Sequence, residues 1–174
     1  MRTFLFRKST LLLSACLLLN IAFLSAQKNI NAAEVEFEFI SKGVDGKISG
    51  FESSSFIDQN DLTNSKFEGS VAVKTIRTGI FLRDWSLKGG KYFDEDAYPR
   101  IQFKSTSIEE QDGKLVVTGD LSLKGITKSI TIRFTQSGNT LLGTTSLYSS
   151  DYGINIKKKR EDNKVEVSFK FTLD

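Results

Sequence analysis

The sequence predicts an all-β fold: one antiparallel sheet of eight strands closing into a barrel, accompanied by one short helix. Two observations predict it. Apolar and polar residues alternate with a period of two through most of the chain beyond residue 33. Such alternation buries one face of each strand and leaves the other in water, the pattern of antiparallel sheet. Turn signals such as Asp112-Gly113 and Ser137-Gly138-Asn139 punctuate the runs, so most connections are tight. Closure of the sheet removes the edges that would otherwise pair with other chains.

Each element has its own justification. A first strand near 34–41 sets Val35, Phe37 and Phe39 against Glu34, Glu36 and Glu38. A second follows near 44–51. The third, near 66–76, places Phe67, Val71 and Val73 on one face, with Gly69 between them. Residues 79–88 are the one stretch that reads as helix. Strands near 100–110 and 113–124 flank the Asp112-Gly113 turn, and Leu115, Val117, Leu121 and Leu123 share a face of the latter. Ile130, Ile132 and Phe134 mark a strand at 128–136, and another follows at 140–148. The last, at 163–173, is the clearest: Val165, Val167, Phe169, Phe171 and Leu173 alternate with Glu166, Ser168, Lys170 and Thr172. An eight-stranded barrel has an interior either just filled by side chains or able to hold one small ligand. Periodicity is compatible with both.

The N-terminus reads as an export signal. Arg2, Arg7 and Lys8 precede an almost wholly apolar run, Leu11 to Leu24, followed by the small residues Ser25 and Ala26 and then by polar Gln27. That order is the layout of a cleaved secretory signal, with residues 1–26 removed and a domain at 27–174. A periplasmic or secreted location follows. In the alternative, Leu13-Ser14-Ala15-Cys16 is a lipobox and Cys16 a lipid anchor. The signal carries three of the 24 basic residues and none of the 21 acidic ones. The remaining chain is therefore neutral overall, which points away from nucleic acid as a partner. Cys16 is the one cysteine, so the domain is held by its core, not by a disulfide.

Composition also argues against familiar catalytic constellations. The chain has no histidine, which removes the Ser-His-Asp triad and His-based zinc sites. A Gly-rich phosphate loop is missing too, so no cofactor is expected. Asp94, Glu95 and Asp96 form an acidic cluster that reads as a solvated turn before Tyr98-Pro99. Lys157-Lys158-Lys159-Arg160 is a basic run balanced by Glu161 and Asp162. It suits a hairpin end, or a transient contact with anionic lipid head groups.

The segment from 61 to 128 carries a resemblance. A strand ending at Thr75-Ile76 is followed by Arg83-Asp84-Trp85-Ser86-Leu87. Tyr92-Phe93-Asp94 comes next, then Tyr98-Pro99-Arg100-Ile101-Gln102-Phe103. Gly119-Asp120-Leu121 and Gly125-Ile126-Thr127-Lys128 complete the series. In order and spacing this series resembles the YceI-like family of bacterial periplasmic proteins. The family's histidine after Arg-Asp is replaced here by Ser86 or Trp85. The resemblance implies a lipocalin-like, eight-stranded antiparallel barrel whose apolar channel holds an isoprenoid-type lipid. It makes Phe37, Phe39, Phe67, Val71, Val73, Phe81, Trp85, Phe93, Phe103, Phe169 and Phe171 the candidate ligand-binding residues. Phe81, Trp85, Leu87 and Phe93 would line the channel entrance or plug one barrel end. Arg83 would face a polar head group, or pair with Asp84 and neighbouring backbone to pin the segment. The other overall reading is a filled barrel that acts through its outer surface as an envelope or stress-associated interaction protein.

Overall fold

The computed structural model describes residues 27–58 and 60–174. The expected signal segment and Cys16 lie outside the described residues. Ten strands form one antiparallel sheet: β1 (Gln27–Phe39), β2 (Val44–Ile48), β3 (Glu52–Ser53), β4 (Phe56–Asp58), β5 (Glu68–Ala72), β6 (Arg100–Gln111), β7 (Lys114–Leu123), β8 (Ile126–Ser137), β9 (Thr140–Tyr148) and β10 (Lys164–Leu173). Among the described residues a single α-helix, α1 (Phe81–Lys88), sits between β5 and β6. The strand order is β2-β1-β10-β9-β8-β7-β6-β5-β3, with β4 also paired to β1.

The two ends of that order, β2 and β3, are separated in sequence only by Ser49, Gly50 and Phe51. The sheet therefore curls until its edges meet in one stretch of chain. At the seam the Ala72 amide donates to the Ser49 carbonyl, and Lys47 and Arg77 exchange a pair of backbone bonds. Arg100 crosses it as well. Its guanidinium donates to the Ser70 hydroxyl at 2.7 Å and the Gly50 carbonyl at 2.8 Å, and pairs with Glu52 at 3.0 Å.

The strand count is ten instead of the expected eight because two short strands form near this seam. The second expected strand, 44–51, ends early as β2, and two short strands not expected from the sequence, β3 and β4, follow it. The third stops at Ala72, and Val73–Thr75 forms a 3-10 turn instead. The Thr75 hydroxyl explains the stop: it donates to the Ala72 carbonyl and accepts from the Ser49 amide. A side chain thus supplies bonding that the next ladder rung would have provided. Val73 is accordingly not on the strand's inward face but buried with Ile48 and Ile76.

Hairpin chemistry matches the turn residues. Asp112-Gly113 and Lys124-Gly125 join β6 to β7 and β7 to β8, with both residues of each pair at positive φ. That is the twist two-residue hairpins require. The ladder between β8 and β9 covers only Arg133–Ser137 and Thr140–Thr144. Beyond it, Ile126–Ile132 pairs with β7 and Thr145–Tyr148 with β10, and the Thr145 hydroxyl, donating to the Thr131 carbonyl at 2.8 Å, still links β9 to β8 where the ladder ends.

One end of the barrel is closed by aromatic packing. Phe67 and Phe134 stack at 5.2 Å, and Phe171 lies 5.6 Å from both Phe51 and Phe134. Ile57, Val117, Leu141 and Leu173 are among the aliphatic residues of this cluster. The other end carries α1 and the segments 89–99 and 149–163.

Candidate ligand cavity and its rim

The inward-facing residues are not equally buried along a strand. On β10, Leu173 and Phe171 are buried, whereas Phe169, Val167 and Val165 keep partial exposure although they point inward. That exposure is to an internal cavity of about 460 Å3, lined almost wholly by apolar side chains. The volume falls in the range of small-molecule pockets. The barrel is thus filled at the aromatic end and open toward the α1 end.

Cross-strand pairing explains how so many rings leave space. Phe37 stands opposite Gly46, and Phe134 and Phe169 both stand opposite Gly143. A Cβ on Gly143 would lie 2.3 Å from the Phe134 ring, and one on Gly46 would lie 2.2 Å from Phe37. These two rings pack directly against glycine backbone in the neighbouring strand, in space that a larger residue would fill.

Of the candidate residues, Phe37, Phe39, Val71, Phe93, Phe103 and Phe169 line the cavity, and Phe67 and Phe171 form its floor. Val73 lies behind the wall. Phe81 and Trp85 are a clear departure: they are 79% and 71% exposed on the outer face of α1. Leu87 faces inward in their place, with Arg83 and Ser86 beside it. The reason is Asp84, the buried residue of this helix. Its carboxylate accepts from the Thr78 amide at 2.7 Å and the Thr78 hydroxyl at 2.5 Å, which turns the opposite face of α1 to solvent.

Arg83 shares that anchor, donating from Nε to the Thr78 hydroxyl and from Nη2 to the Thr78 carbonyl, each at 2.7 Å. The Arg-Asp pair therefore pins the segment, while Arg83 still borders the cavity beside Lys42 at the rim. The hydrogen bond from the Thr78 hydroxyl, helped by its amide and by Arg77 and Lys88, holds the Asp84 carboxyl below its ordinary value of 3.8 against the opposing effect of burial. A carboxylate depressed in the folded state stabilises above its unfolded pKa and loses that contribution as pH falls through the folded one. The expected result is that wild type outlasts Asp84→Asn in thermal melts at neutral pH, and that the difference shrinks as pH drops below about 4. A difference independent of pH would assign the contribution of Asp84 to shape and not to charge.

The rim gathers the rest of the marked sequence. The Tyr98 ring covers Gly125, where a Cβ would come within 2.7 Å. Lys124 Nζ donates to the Gly90 and Lys91 carbonyls. Asp94 takes φ 54 in the turn between them. Among the described residues no group of acidic side chains converges as a metal site. Asn163, in the turn Glu161-Asp162-Asn163 before the last strand, is fully buried. Its side chain accepts from the Ile156 and Lys157 amides and donates to the Lys157 and Lys159 carbonyls. One amide thus shapes the whole basic run. Further lining residues, including Ile101, Leu147, Val165 and Val167, were legible as inward strand positions. Ile154 and Ile156 were not, because they lie outside any strand.

A curled antiparallel wall around an apolar cavity that opens toward the α1 end defines a barrel of lipocalin-like form. The chain belongs to the YceI-like family: the model of the YceI-like domain matches residues 25–173. A UPF0312 protein of Vibrio parahaemolyticus is 31% identical over 140 residues, 74% of this chain and 72% of its own. Among solved structures, BcnA of Burkholderia cenocepacia shares the fold at a TM-score of 0.68, with 23% identity over 81% of this chain and 94% of that one. A polyisoprenoid binding domain from Saccharophagus degradans shares it at 0.57, with 12% identity over 85% and 97% of the two chains.

Proposed function

We propose that this protein is an exported carrier or sequestering protein that takes the apolar chain of an isoprenoid-type lipid into its barrel. The observation that carries this reading is the apolar cavity of about 460 Å3 between the aromatic floor and the rim. Burial against such walls is worth about 25 cal/mol per Å2 of apolar surface removed from water. Lys42 and Arg83 at the rim suit a polar head group left near solvent. The printed name of the Saccharophagus degradans domain, a polyisoprenoid binding one, supports the same ligand class. The role is binding, not catalysis, in the periplasm or outside the cell, with transient contact at a membrane where lipid is exchanged.

Native mass spectrometry of the purified protein tests the reading. The expected species begins at Gln27, carries no covalently attached lipid, and holds one non-covalent isoprenoid-type lipid that is lost on activation. A protein that emerges empty and stays empty after incubation with isoprenoid quinone would reject the carrier role.

A further inference from the structure

Helix α1 wears its apolar side outward. Phe81, Leu82 and Trp85 are 79%, 73% and 71% exposed, and Ile80 before them is also exposed. They form a contiguous turn-and-a-half of large apolar surface, the kind of patch that marks a contact site on a soluble domain. Charge is uneven over the same molecule. The segments that link strands at the α1 end (40–43, 73–99, 124–125 and 149–163) hold eleven Lys and Arg against seven Asp and Glu, a net of +4. The rest of the domain from residue 27 holds ten against fourteen, a net of −4. The zero overall balance thus conceals an axis from a basic rim to an acidic base. Two of the acids at the rim are already committed, Asp84 to Thr78 and Asp151 to Arg160.

We infer that the outer face of α1, set in this basic rim, is a docking surface for an anionic lipid bilayer, with Phe81, Leu82 and Trp85 inserted at the head-group level. Aromatic and aliphatic side chains flanked by Lys and Arg are what an interfacial helix presents to such a surface. Lys158 and Lys159 are exposed in the loop that Asn163 shapes, within the segments that supply the positive charge. A second copy of this chain fits the same face poorly, because a two-fold contact would set one net-positive rim against another. The placement has a functional consequence: the face lies at the end where the cavity opens, so a docked barrel presents its mouth to the lipid phase. This extends the carrier reading by naming the surface through which lipid is exchanged.

Trp85 is the only tryptophan in the chain, so its fluorescence reports on this face alone. With vesicles of phosphatidylglycerol and phosphatidylcholine in equal parts, the purified protein is expected to co-sediment and Trp85 emission to shift to the blue. Phosphatidylcholine alone should bind several-fold more weakly, and added salt should weaken the anionic case. Phe81→Ser with Leu82→Ser should reduce vesicle binding by roughly tenfold, and Lys158→Glu with Lys159→Glu by several-fold. Both double variants should keep the wild-type melting temperature and bind a fluorescent isoprenoid analogue as wild type in vesicle-free buffer. That last measurement separates the two ideas, since loss of docking with intact analogue binding leaves the carrier role standing. Vesicle binding unaltered by the Phe81/Leu82 pair would overturn the inference. So would a blue shift without vesicles that tracks protein concentration together with a dimer mass, which would assign the face to a second copy.

Discussion

Val71→Trp is expected to abolish isoprenoid binding while leaving the barrel folded, and Val73→Trp, two residues on, to do the reverse. Val71 lies opposite Ile101 across the β5–β6 pair and lines the cavity, where it remains partly exposed. An indole there has open space to enter, and the space it takes is the ligand's. Val73 is 1% exposed in the 3-10 turn, packed with Ile48 and Ile76, and is not itself among the cavity-lining residues. Added bulk at such a site typically costs about 1–3 kcal/mol, a melting-point drop of about 2–4 °C per kcal/mol in a domain of this size. Titration of a fluorescent isoprenoid analogue beside thermal melts reads both effects. Saturable binding by Val71→Trp at wild-type affinity would put the ligand elsewhere. Equal destabilisation by both changes would mean that the interior at Val71 is already packed.

Phe134→Ala is expected to cost about 3–5 kcal/mol, the range for a buried phenylalanine. Its ring is 1% exposed and contacts Phe67, Phe169 and Phe171 at the barrel floor. Gly143→Val should also destabilise strongly, because the new Cβ would sit 2.3 Å from that same ring. The two costs share one cause and should not add. In Phe134→Ala/Gly143→Val the valine enters the space the ring vacated, so the double variant should be more stable than the sum of the singles predicts, by an amount typical of contacting residues, about 0.5–3 kcal/mol. Chemical denaturation of the four proteins measures the coupling. Strict additivity would show that the ring and the glycine do not constrain each other, and with it the account of how the rings are held against the wall would fall.

Much of the fold was legible because a strand writes its burial into sequence with a period of two. The runs at Val35–Phe39, Leu115–Leu123 and Val165–Leu173 are inward faces as the alternation indicates, and Asp112-Gly113 marks a hairpin through its positive φ values. The short helix is also local, and it forms at Phe81–Lys88. The family motifs were readable as a series, although their common purpose was not. Arg83, Asp84, Tyr98, Lys124 and Gly125 are up to 42 positions apart in sequence yet together they build one rim.

Alternation, turn residues and composition tell which residues turn inward, where the chain reverses, and which chemistry is missing from it. Tertiary structure decided the rest. Periodicity names a face but carries no height along the barrel axis, so Phe169 over open space and Phe171 in the floor look alike in sequence. Whether rings fill or line a barrel depends on what stands opposite them, and pairs such as Phe134 with Gly143 exist only once register is set. The outward turn of Phe81 and Trp85 follows from the bonds of Asp84 to Thr78, a competition in which two hydrogen bonds to a carboxylate outweigh burial of apolar surface. Closure of the sheet then fixes the remaining volume, a property of all the strands together and of no segment alone.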